Sequence, residues 1–237
     1  MIAPKLLPHA LTAEDRRLAW ERRTRHPMLP LDMFASRGFS AACVQYRLAP
    51  LHPCPTAIED AQAFIRHLRA NASTHAVDPS AIAALGNSAG GHLASMLGVT
   101  DAVVDGVSSR VNAVVDLCGI SDLSEPDVNH FPISMSFLEQ FMGAPYRGSE
   151  ENWRAASPLQ YVDAQACPFF IGHGEADDVV PISQSEALAG KLFANGVPVE
   201  FHRLPGEGHS FTYDGWYKVF ELFVDFLNRT FAHVSAQ

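Results

Sequence analysis

The 237-residue sequence lacks the features that mark membrane proteins and nucleic-acid-binding proteins. No apolar run approaches the roughly 20 residues that a membrane-spanning helix needs. Basic residues are outnumbered, and the formal net charge is −9. Because nucleic-acid binding depends on a basic patch, we expect no nucleic acid as a partner. Because no apolar run is long enough to span a bilayer, we expect no membrane as a partner either.

Cysteine is also scarce, with four residues far apart in the chain: Cys43, Cys54, Cys118 and Cys167. None of them forms the close-spaced pairs that hold zinc, and a chain of this size needs no disulfide for stability. We therefore expect reduced, mostly buried thiols, no metal and no cofactor.

A secretory leader is missing as well. The first residues contain no apolar stretch that ends in a small-residue cleavage site. We expect a cytoplasmic protein. Secretion stays open if a leader peptide precedes Met1 in the full protein.

Strand-like and helix-like stretches alternate along most of the chain. The strand-like stretches are rich in apolar or β-branched residues, whereas the helix-like ones repeat apolar residues at helical spacing. This alternation is typical of an α/β protein with a mostly parallel, doubly wound sheet and helices on both faces. The predicted strands are Phe39–Arg47, Ala81–Leu85, Val111–Cys118, Pro168–Gly172 and Val199–Leu204, and the predicted helices are Pro55–Ala70, Ala89–Val99, Ile182–Asn195 and Gly215–Phe231.

Two segments depart from the alternation. Residues 1–28 form an atypical charged segment: eight of the twelve residues from Glu14 to Arg25 are charged, which predicts a solvated helix or loose arm and no obvious strand. Residues 29–237 are predicted to form one domain. Within it, residues 121–166 are rich in proline and aromatics, which predicts a lid or pocket insertion. A surface excursion that caps the sheet is the alternative.

One serine stands at a predicted turn from strand to helix. The stretch "ALGNSAGGHLASM" places Ser88 between Gly86 and Gly90. A sharp turn there would expose the serine oxygen at the carboxyl edge of the sheet, and small neighbours would relieve the crowding. A helix-capping serine is the alternative. Ser88 is therefore a candidate nucleophile, provided that a base and an acid accompany it.

An acid and a histidine follow Ser88 in the chain. A serine hydroxyl needs a base to accept its proton, and in this architecture the order along the chain is Ser, Asp, His. The stretch "PFFIGHGEADDVVP" is a strand followed by a loop with Asp177 and Asp178, and "RLPGEGHSF" leads into a loop with His209. Both loops follow strand ends, where a doubly wound sheet assembles its site. Helix capping is the alternative role for either aspartate.

Four stretches resemble the α/β-hydrolase fold, in particular the esterases and lipases similar to hormone-sensitive lipase and the small carbohydrate and feruloyl esterases. These stretches are "YRLAP" (Tyr46–Pro50), "DPSAIAALGNSAGGHLAS" (Asp78–Ser95), "HGEADDVVP" (His173–Pro181) and "GEGHSF" (Gly206–Phe211). The resemblance runs over residues 30–231, most of the chain.

The resemblance also implies a role for each candidate residue. Ser88 would attack an ester carbonyl, His209 would carry the proton, and Asp177 rather than Asp178 would orient the imidazole. The main-chain amide of Ala89 would donate to the oxyanion. His92, one turn into the helix, is interpreted as a packing residue.

One family element is missing from the sequence. Family members carry an H-G-G-G segment before "YRLAP", and the main-chain amides of that segment complete the oxyanion hole. Residues 1–38 of this sequence contain a single glycine, Gly38, and no such segment. Three explanations stay open: a truncated or misread chain, an atypical member whose N-terminal segment supplies another donor, and a folded relative with little activity. Missing N-terminal strands would leave a sheet edge uncovered, which favours a homodimer through that edge.

The leading prediction is a serine carboxylesterase that cleaves small to medium acyl or aryl esters through an acyl-enzyme. An aromatic set in the insertion is predicted to line its pocket: Phe131, Phe137, Phe141, Tyr146, Trp153 and Tyr161. The alternatives are an arylformamidase-like or peptidase-like hydrolase with the same triad, and a catalytically impaired binding protein with the hydrolase fold.

Overall fold

The structure is a computed structural model and describes residues 2–6 and 31–232. In this part of the chain, five strands form one sheet in the order in which they occur along the sequence. The first strand is antiparallel to the second, and all other neighbours are parallel. The strands are β1 (Ile2–Leu6), β2 (Val77–Asn87), β3 (Ala113–Leu117), β4 (Phe169–Gly174) and β5 (Val199–Leu204).

Nine α-helices connect and cover the strands within the described residues. They are α1 (Leu31–Ala35), α2 (Thr56–Ala70), α3 (Ala89–Val99), α4 (Pro126–Asn129), α5 (Met135–Met142), α6 (Glu150–Ala155), α7 (Pro158–Tyr161), α8 (Ser183–Ala194) and α9 (Tyr213–Phe231). The four predicted helices are confirmed to within two residues at each end. In the described part of the chain, no helix combines the length and the apolar character that crossing a bilayer requires.

Side-chain alternation in the strands divides the core between the two faces of the sheet. Val114 packs in a cluster with Leu97 and other residues of α2, α3 and α8. Its neighbour Val115 points the opposite way and packs in a cluster with Phe223 and other residues of α1 and α9. Because successive residues of a strand face opposite sides, a run of apolar residues is buried on both faces. The predicted α/β fold with helices on both faces is confirmed.

The predicted strand Phe39–Arg47 is wrong. This segment forms only single β-bridges, at Phe39 and Ala42. The edge of β2 that faces away from β3 pairs instead with β1. At the end of the segment, the main-chain N–H of Arg47 donates to the carboxylate of Asp60 on α2, at 2.9 Å, rather than to a strand carbonyl.

Strand β1 also corrects the expectation that residues 1–28 supply no strand. The rest of that charged segment, including the run from Glu14 to Arg25, lies outside the described residues.

Residues 121–166 form short helices, α4 to α7, around a small apolar core of their own. That core contains Leu123, Leu138, Met142, Trp153 and Ala156. The insertion is joined to α8 through the side-chain amide of Gln184, whose oxygen accepts the N–H groups of Ser121 (2.9 Å) and Asp122 (2.8 Å). Its role as a lid stays a prediction.

Candidate active site

Ser88 occupies a sharp turn between β2 and α3. Its backbone dihedrals are φ 56° and ψ −122°, in the positive-φ region that non-glycine residues rarely adopt. Such a conformation costs about 1–3 kcal/mol and persists only where the surroundings enforce it. Here the N–H of Ser88 donates to the carbonyl oxygen of Leu117 at the end of β3, at 2.8 Å. The structure therefore contains the strand-to-helix turn that the sequence predicts at this serine.

Two glycines near Ser88 are required by close packing, and a third is not. A Cβ on Gly86 would lie 2.0 Å from the carbonyl oxygen of Gly90, and one on Gly91 would lie 2.4 Å from a carboxylate oxygen of Asp116. A Cβ on Gly90 would meet no atom within 4 Å. The tight turn thus depends on Gly86 and Gly91, because any side chain there would push the helix away from the sheet.

The three residues predicted to act together do lie together. Nε2 of His209 is 2.9 Å from Oγ of Ser88, and Nδ1 of the same ring is 2.8 Å from Oδ2 of Asp177. His209 comes from the loop after β5, and Asp177 from the loop after β4. Because these strands are parallel neighbours, their carboxyl ends bring the two loops to the same edge of the sheet as Ser88.

Asp177 is buried and held by three hydrogen bonds and by a close contact with His173. Its Oδ1 accepts the N–H groups of Val179 (2.9 Å) and Val180 (2.8 Å). Its Oδ2 faces Nδ1 of His209 and lies 3.2 Å from Nε2 of His173. Burial alone would raise the pKa of this carboxyl, but the interactions with His173, His209 and the two amides outweigh it and hold the pKa well below its usual range. Asp177 is therefore an anion beside His209.

The other predicted residues near the triad differ in exposure. Asp178 is exposed, whereas Asp177 makes the contact with His209. Ala89 is exposed and begins α3, where the first main-chain N–H groups have no carbonyl partner within the helix. His92 is buried, and its Nε2 lies 2.8 Å from the carbonyl oxygen of Ala156. The dipole of α3 adds positive character beside Ser88.

A glutamate shapes the loop that carries His209. The carboxylate of Glu207 accepts the main-chain N–H of Thr212 (2.6 Å) and the hydroxyl of the same residue (2.7 Å). The hydroxyl oxygen of Thr212 in turn accepts the N–H of Gly215 in the first turn of α9, at 3.0 Å. These contacts fix the loop between β5 and α9, and so fix His209.

Three side chains near the triad have the composition of a metal site. Ligand atoms of Cys118, His173 and Asp177 lie within 4.8 Å of one another. However, the nitrogen of His173 and the oxygen of Asp177 already take part in hydrogen bonds. Burial also raises the pKa of the Cys118 thiol, which disfavours the thiolate that a metal needs. The arrangement therefore fits a hydrogen-bonded cluster better than a metal centre.

All four cysteines lie in the described residues and are unpaired, as predicted. Cys118 and Cys167 are buried, and Cys43 and Cys54 are half-buried. Burial raises the pKa of Cys54 to about 11 and that of Cys167 to about 12.

The predicted pocket aromatics are divided by the structure. Trp153 is fully buried in the insertion core, and the ring of Tyr146 packs edge-on against it at 5.6 Å between centroids. Trp153 is therefore not free to line a pocket as predicted, whereas Tyr146 stays half-buried. Phe137 is 67% exposed, Phe131 is 37% exposed, and Phe141 packs against His92 at 5.3 Å.

Sequence reasoning missed two buried polar residues near the triad. His173 belongs to the stretch "HGEADDVVP", but its contact with Asp177 depends on the fold of the β4–α8 loop, which the sequence does not show. Asp116 lies within an apolar strand run, and its Oδ2 accepts the hydroxyl of Ser95 at 2.8 Å. A charged residue inside an otherwise apolar strand is the signal that could have identified it.

Comparison with known proteins identifies the family. The sequence model of the BD-FAE family matches residues 19–192. The chain belongs to the BD-FAE family. Membership of this α/β-hydrolase esterase family agrees with the sheet and with the sharp turn at Ser88 described above.

Several relatives of this BD-FAE family member are named as esterases. The chain is 32% identical over 203 residues to Esterase LipQ of Mycobacterium tuberculosis, covering 81% of this chain and 48% of LipQ. Among solved structures, it resembles a truncated form of a carbohydrate esterase from gut microbiota (27% identity, TM-score 0.67, 82% of this chain and 75% of that one). It also resembles Thermogutta terrifontis esterase 2 phosphonylated by sarin (28% identity, TM-score 0.71, 84% and 75%). The chain spans about half the length of the curated relatives that it matches.

Proposed function

We propose that this BD-FAE family member hydrolyses carboxylic esters through a covalent intermediate on Ser88. The observation that carries the proposal is the continuous chain of contacts from Oγ of Ser88 to Nε2 of His209 (2.9 Å) and from Nδ1 of His209 to Oδ2 of Asp177 (2.8 Å). Nucleophile, base and orienting acid are within hydrogen-bond distance, which is the geometry that acyl transfer needs.

The proposed reaction has two halves. In the first, Nε2 of His209 accepts the proton of Ser88 as Oγ attacks the ester carbonyl, and the imidazolium then gives that proton to the departing alcohol. In the second, His209 accepts a proton from water as its oxygen attacks the acyl-serine, and then returns that proton to Oγ of Ser88 as the bond to the acyl group breaks and the acid leaves. The anionic Asp177 stabilises the imidazolium in both halves, and the N–H of Ala89 donates to the oxyanion.

The proposed substrates are esters with small to medium acyl or aryl groups. Support comes from the exposed aromatic residues Phe131 and Phe137, which flank Ser134 in the insertion. The hydroxyl of Ser134 donates to the carbonyl oxygen of Val179 at 2.6 Å, which attaches this segment to the loop that carries Asp177. Large apolar groups beside a polar site favour apolar portions of a substrate. Because one structural relative is a carbohydrate esterase, acetylated sugars should be among the substrates that are tested.

Hydrolysis of p-nitrophenyl acetate and butyrate by the wild-type chain and Ser88→Ala tests the proposal. We expect turnover by the wild type and loss of about 10⁴-fold or more in kcat for the variant. Equal rates in the two proteins would refute it. Turnover of formamides or amides but not of esters would favour the alternative hydrolase classes, and binding of the ester without turnover would favour an impaired binding protein.

A matched pair of variants tests the aromatic segment. Phe137 (67% exposed) lies in the insertion, and Phe193 (79% exposed) lies on α8. We expect Phe137→Ala to raise KM for butyrate more than for acetate, because the longer acyl chain has more apolar surface to bury. Phe193→Ala should leave both KM values unchanged. An equal effect of the two variants would remove the support from Phe137.

A further inference from the structure

His173 contacts three separate parts of the site from inside the sheet. It lies in β4 and is fully buried. Its Nε2 is 3.2 Å from Oδ2 of Asp177 and 3.0 Å from the carbonyl oxygen of Val180, both in the loop after β4. Its Nδ1 is 2.7 Å from Oγ of Ser185 in the first turn of α8. The ring therefore connects a strand, a loop and a helix.

These contacts define which ring nitrogen carries the hydrogen. Nε2 of His173 faces two oxygen atoms that can only accept, namely a carboxylate oxygen and a carbonyl oxygen. Nε2 must then be protonated, and in the neutral ring Nδ1 accepts the hydroxyl hydrogen of Ser185. Ser185 thus orients the ring, whose Nε2–H donates to the carbonyl oxygen of Val180 and lies 3.2 Å from Oδ2 of Asp177.

His173 adds a contact to Oδ2 of Asp177 that further restricts the orientation of the carboxylate. The terminal torsion of an aspartate has broad minima, so packing and hydrogen bonds decide where its oxygens point. The amides of Val179 and Val180 hold Oδ1 alone. His173 is the second histidine on Oδ2, and it approaches from the buried side while His209 approaches from the site.

We infer that His173 is a positioning residue, which fixes Oδ2 of Asp177 against Nδ1 of His209 and is itself oriented by Ser185. The inference rests on the proposed ester hydrolysis, for which Asp177 must face His209. Two independent contacts carry it: the His173–Asp177 contact within the loop and the His173–Ser185 contact with α8.

Three variants separate positioning from packing. His173→Leu removes both ring nitrogens, and His173→Gln restores an N–H donor close to the position of Nε2. Ser185→Ala removes only the hydroxyl that orients the ring, so it is the variant expected to fold even if His173→Leu does not. His130→Leu is the control, because His130 is also buried and its Nε2 also contacts a main-chain carbonyl, that of Asp122 at 2.8 Å.

The first measurement is the pH profile of p-nitrophenyl butyrate hydrolysis, with active sites counted by a fluorophosphonate. We expect His173→Leu to lower kcat about 10- to 100-fold with little change in KM, since a small misplacement of an orienting group has effects of that size. The acidic limb of kcat/KM should move to lower pH, because the imidazolium loses its carboxylate partner. Ser185→Ala should lower kcat and shift the acidic limb in the same directions, but by less. His173→Gln should recover most of the kcat that His173→Leu loses.

The second measurement does not depend on turnover. The proton on Nδ1 of His209, hydrogen-bonded to Asp177, should give a downfield NMR resonance in the wild type and His130→Leu, and a weakened or lost one in His173→Leu and Ser185→Ala. If the wild type shows this resonance but no esterase activity, the proposed function fails and the positioning role still stands. Unchanged resonance, kcat per active site and pH profile in Ser185→Ala and in every His173 variant that folds would overturn the inference.

Discussion

The main-chain N–H of Ala176 donates to the carbonyl oxygen of Glu207 at 2.9 Å. This main-chain contact joins the loop that carries Asp177 to the loop that carries His209, beside the side-chain contact between these two residues. The two loops approach so closely that a Cβ on Gly174, at the end of β4, would lie 2.3 Å from the same carbonyl oxygen. The distance between acid and base therefore depends on a backbone contact as well as on the side chains.

Gly174→Ala should separate the two loops. Because the clash is with main-chain atoms, which cannot rotate away, we expect a loss of about 1–3 kcal/mol in the free energy of unfolding and a lower kcat. Gly190→Ala is the control: it lies in α8 with no atom within 4 Å of an added Cβ, and should stabilise the chain by about 0.5–1 kcal/mol. Urea unfolding and ester hydrolysis check both. A Gly174→Ala protein as active and stable as wild type would contradict the loop contact.

The glycines after Ser88 should differ in their tolerance of alanine. Gly91→Ala would place a Cβ 2.4 Å from the Asp116 carboxylate, so we expect a clear fall in the thermal midpoint, corresponding to about 1–3 kcal/mol. Gly90→Ala meets open space and should keep or raise the midpoint. Calorimetry on the two variants decides the matter, and the opposite ranking would show that the described packing of α3 on β3 is incorrect.

Neighbouring aspartates should have very different importance for catalysis. Asp177→Asn should lower kcat by about 10⁴-fold, because the anion that stabilises the imidazolium is lost. Asp178→Asn should retain most of the activity, since Asp178 is exposed and Asp177 makes the contact with His209. Steady-state kinetics on butyrate at neutral pH compare them. A large loss in Asp178→Asn with a small one in Asp177→Asn would reverse the assignment.

Asp116 should make stability depend on pH between 4 and 6. Burial raises the pKa of Asp116 from 3.8 to about 6, partly offset by the hydrogen bond from Ser95. Between these values the folded chain keeps a proton that the unfolded chain releases, so the contribution of Asp116 to stability falls as pH rises, by about 3 kcal/mol in total. Asp116→Asn should lack this fall.

Urea unfolding of the wild type and Asp116→Asn from pH 4 to 7 measures the difference. We expect the unfolding free energy of the variant to gain on that of the wild type as pH rises. Ser95→Ala should extend the fall to higher pH, because loss of the hydroxyl that stabilises the carboxylate raises the pKa of Asp116 further. Parallel curves for wild type and Asp116→Asn would exclude the buried charge as a source of pH dependence.

The sequence predicted most of the sheet because apolar runs and helix-stop signals are local properties. The α3 and β5 boundaries agree with the structure to the residue. The segment Phe39–Arg47 failed because strand formation also needs a partner: the edge of β2 is paired with β1, and Arg47 bonds to Asp60 on α2. Pairing between residues far apart in sequence leaves no local signal.

The candidate site, like the sheet, could be predicted only in part. Ser88, Asp177 and His209 could be predicted because each follows a strand and their order along the chain is distinctive. His173 and Asp116 could not be assigned, because their roles arise from contacts with Ser185 and Ser95 on other elements. The aromatic residues of the insertion were predicted as one set, whereas packing divides them into core and surface.

The most direct test of the proposed function is intact-protein mass spectrometry after treatment with a fluorophosphonate, with peptide mapping of the adduct. We expect one adduct per chain, located on Ser88, with loss of ester hydrolysis in proportion to labelling and much slower labelling in His209→Ala. No adduct on the folded wild-type protein, or full labelling of Ser88 with ester hydrolysis intact, would contradict it.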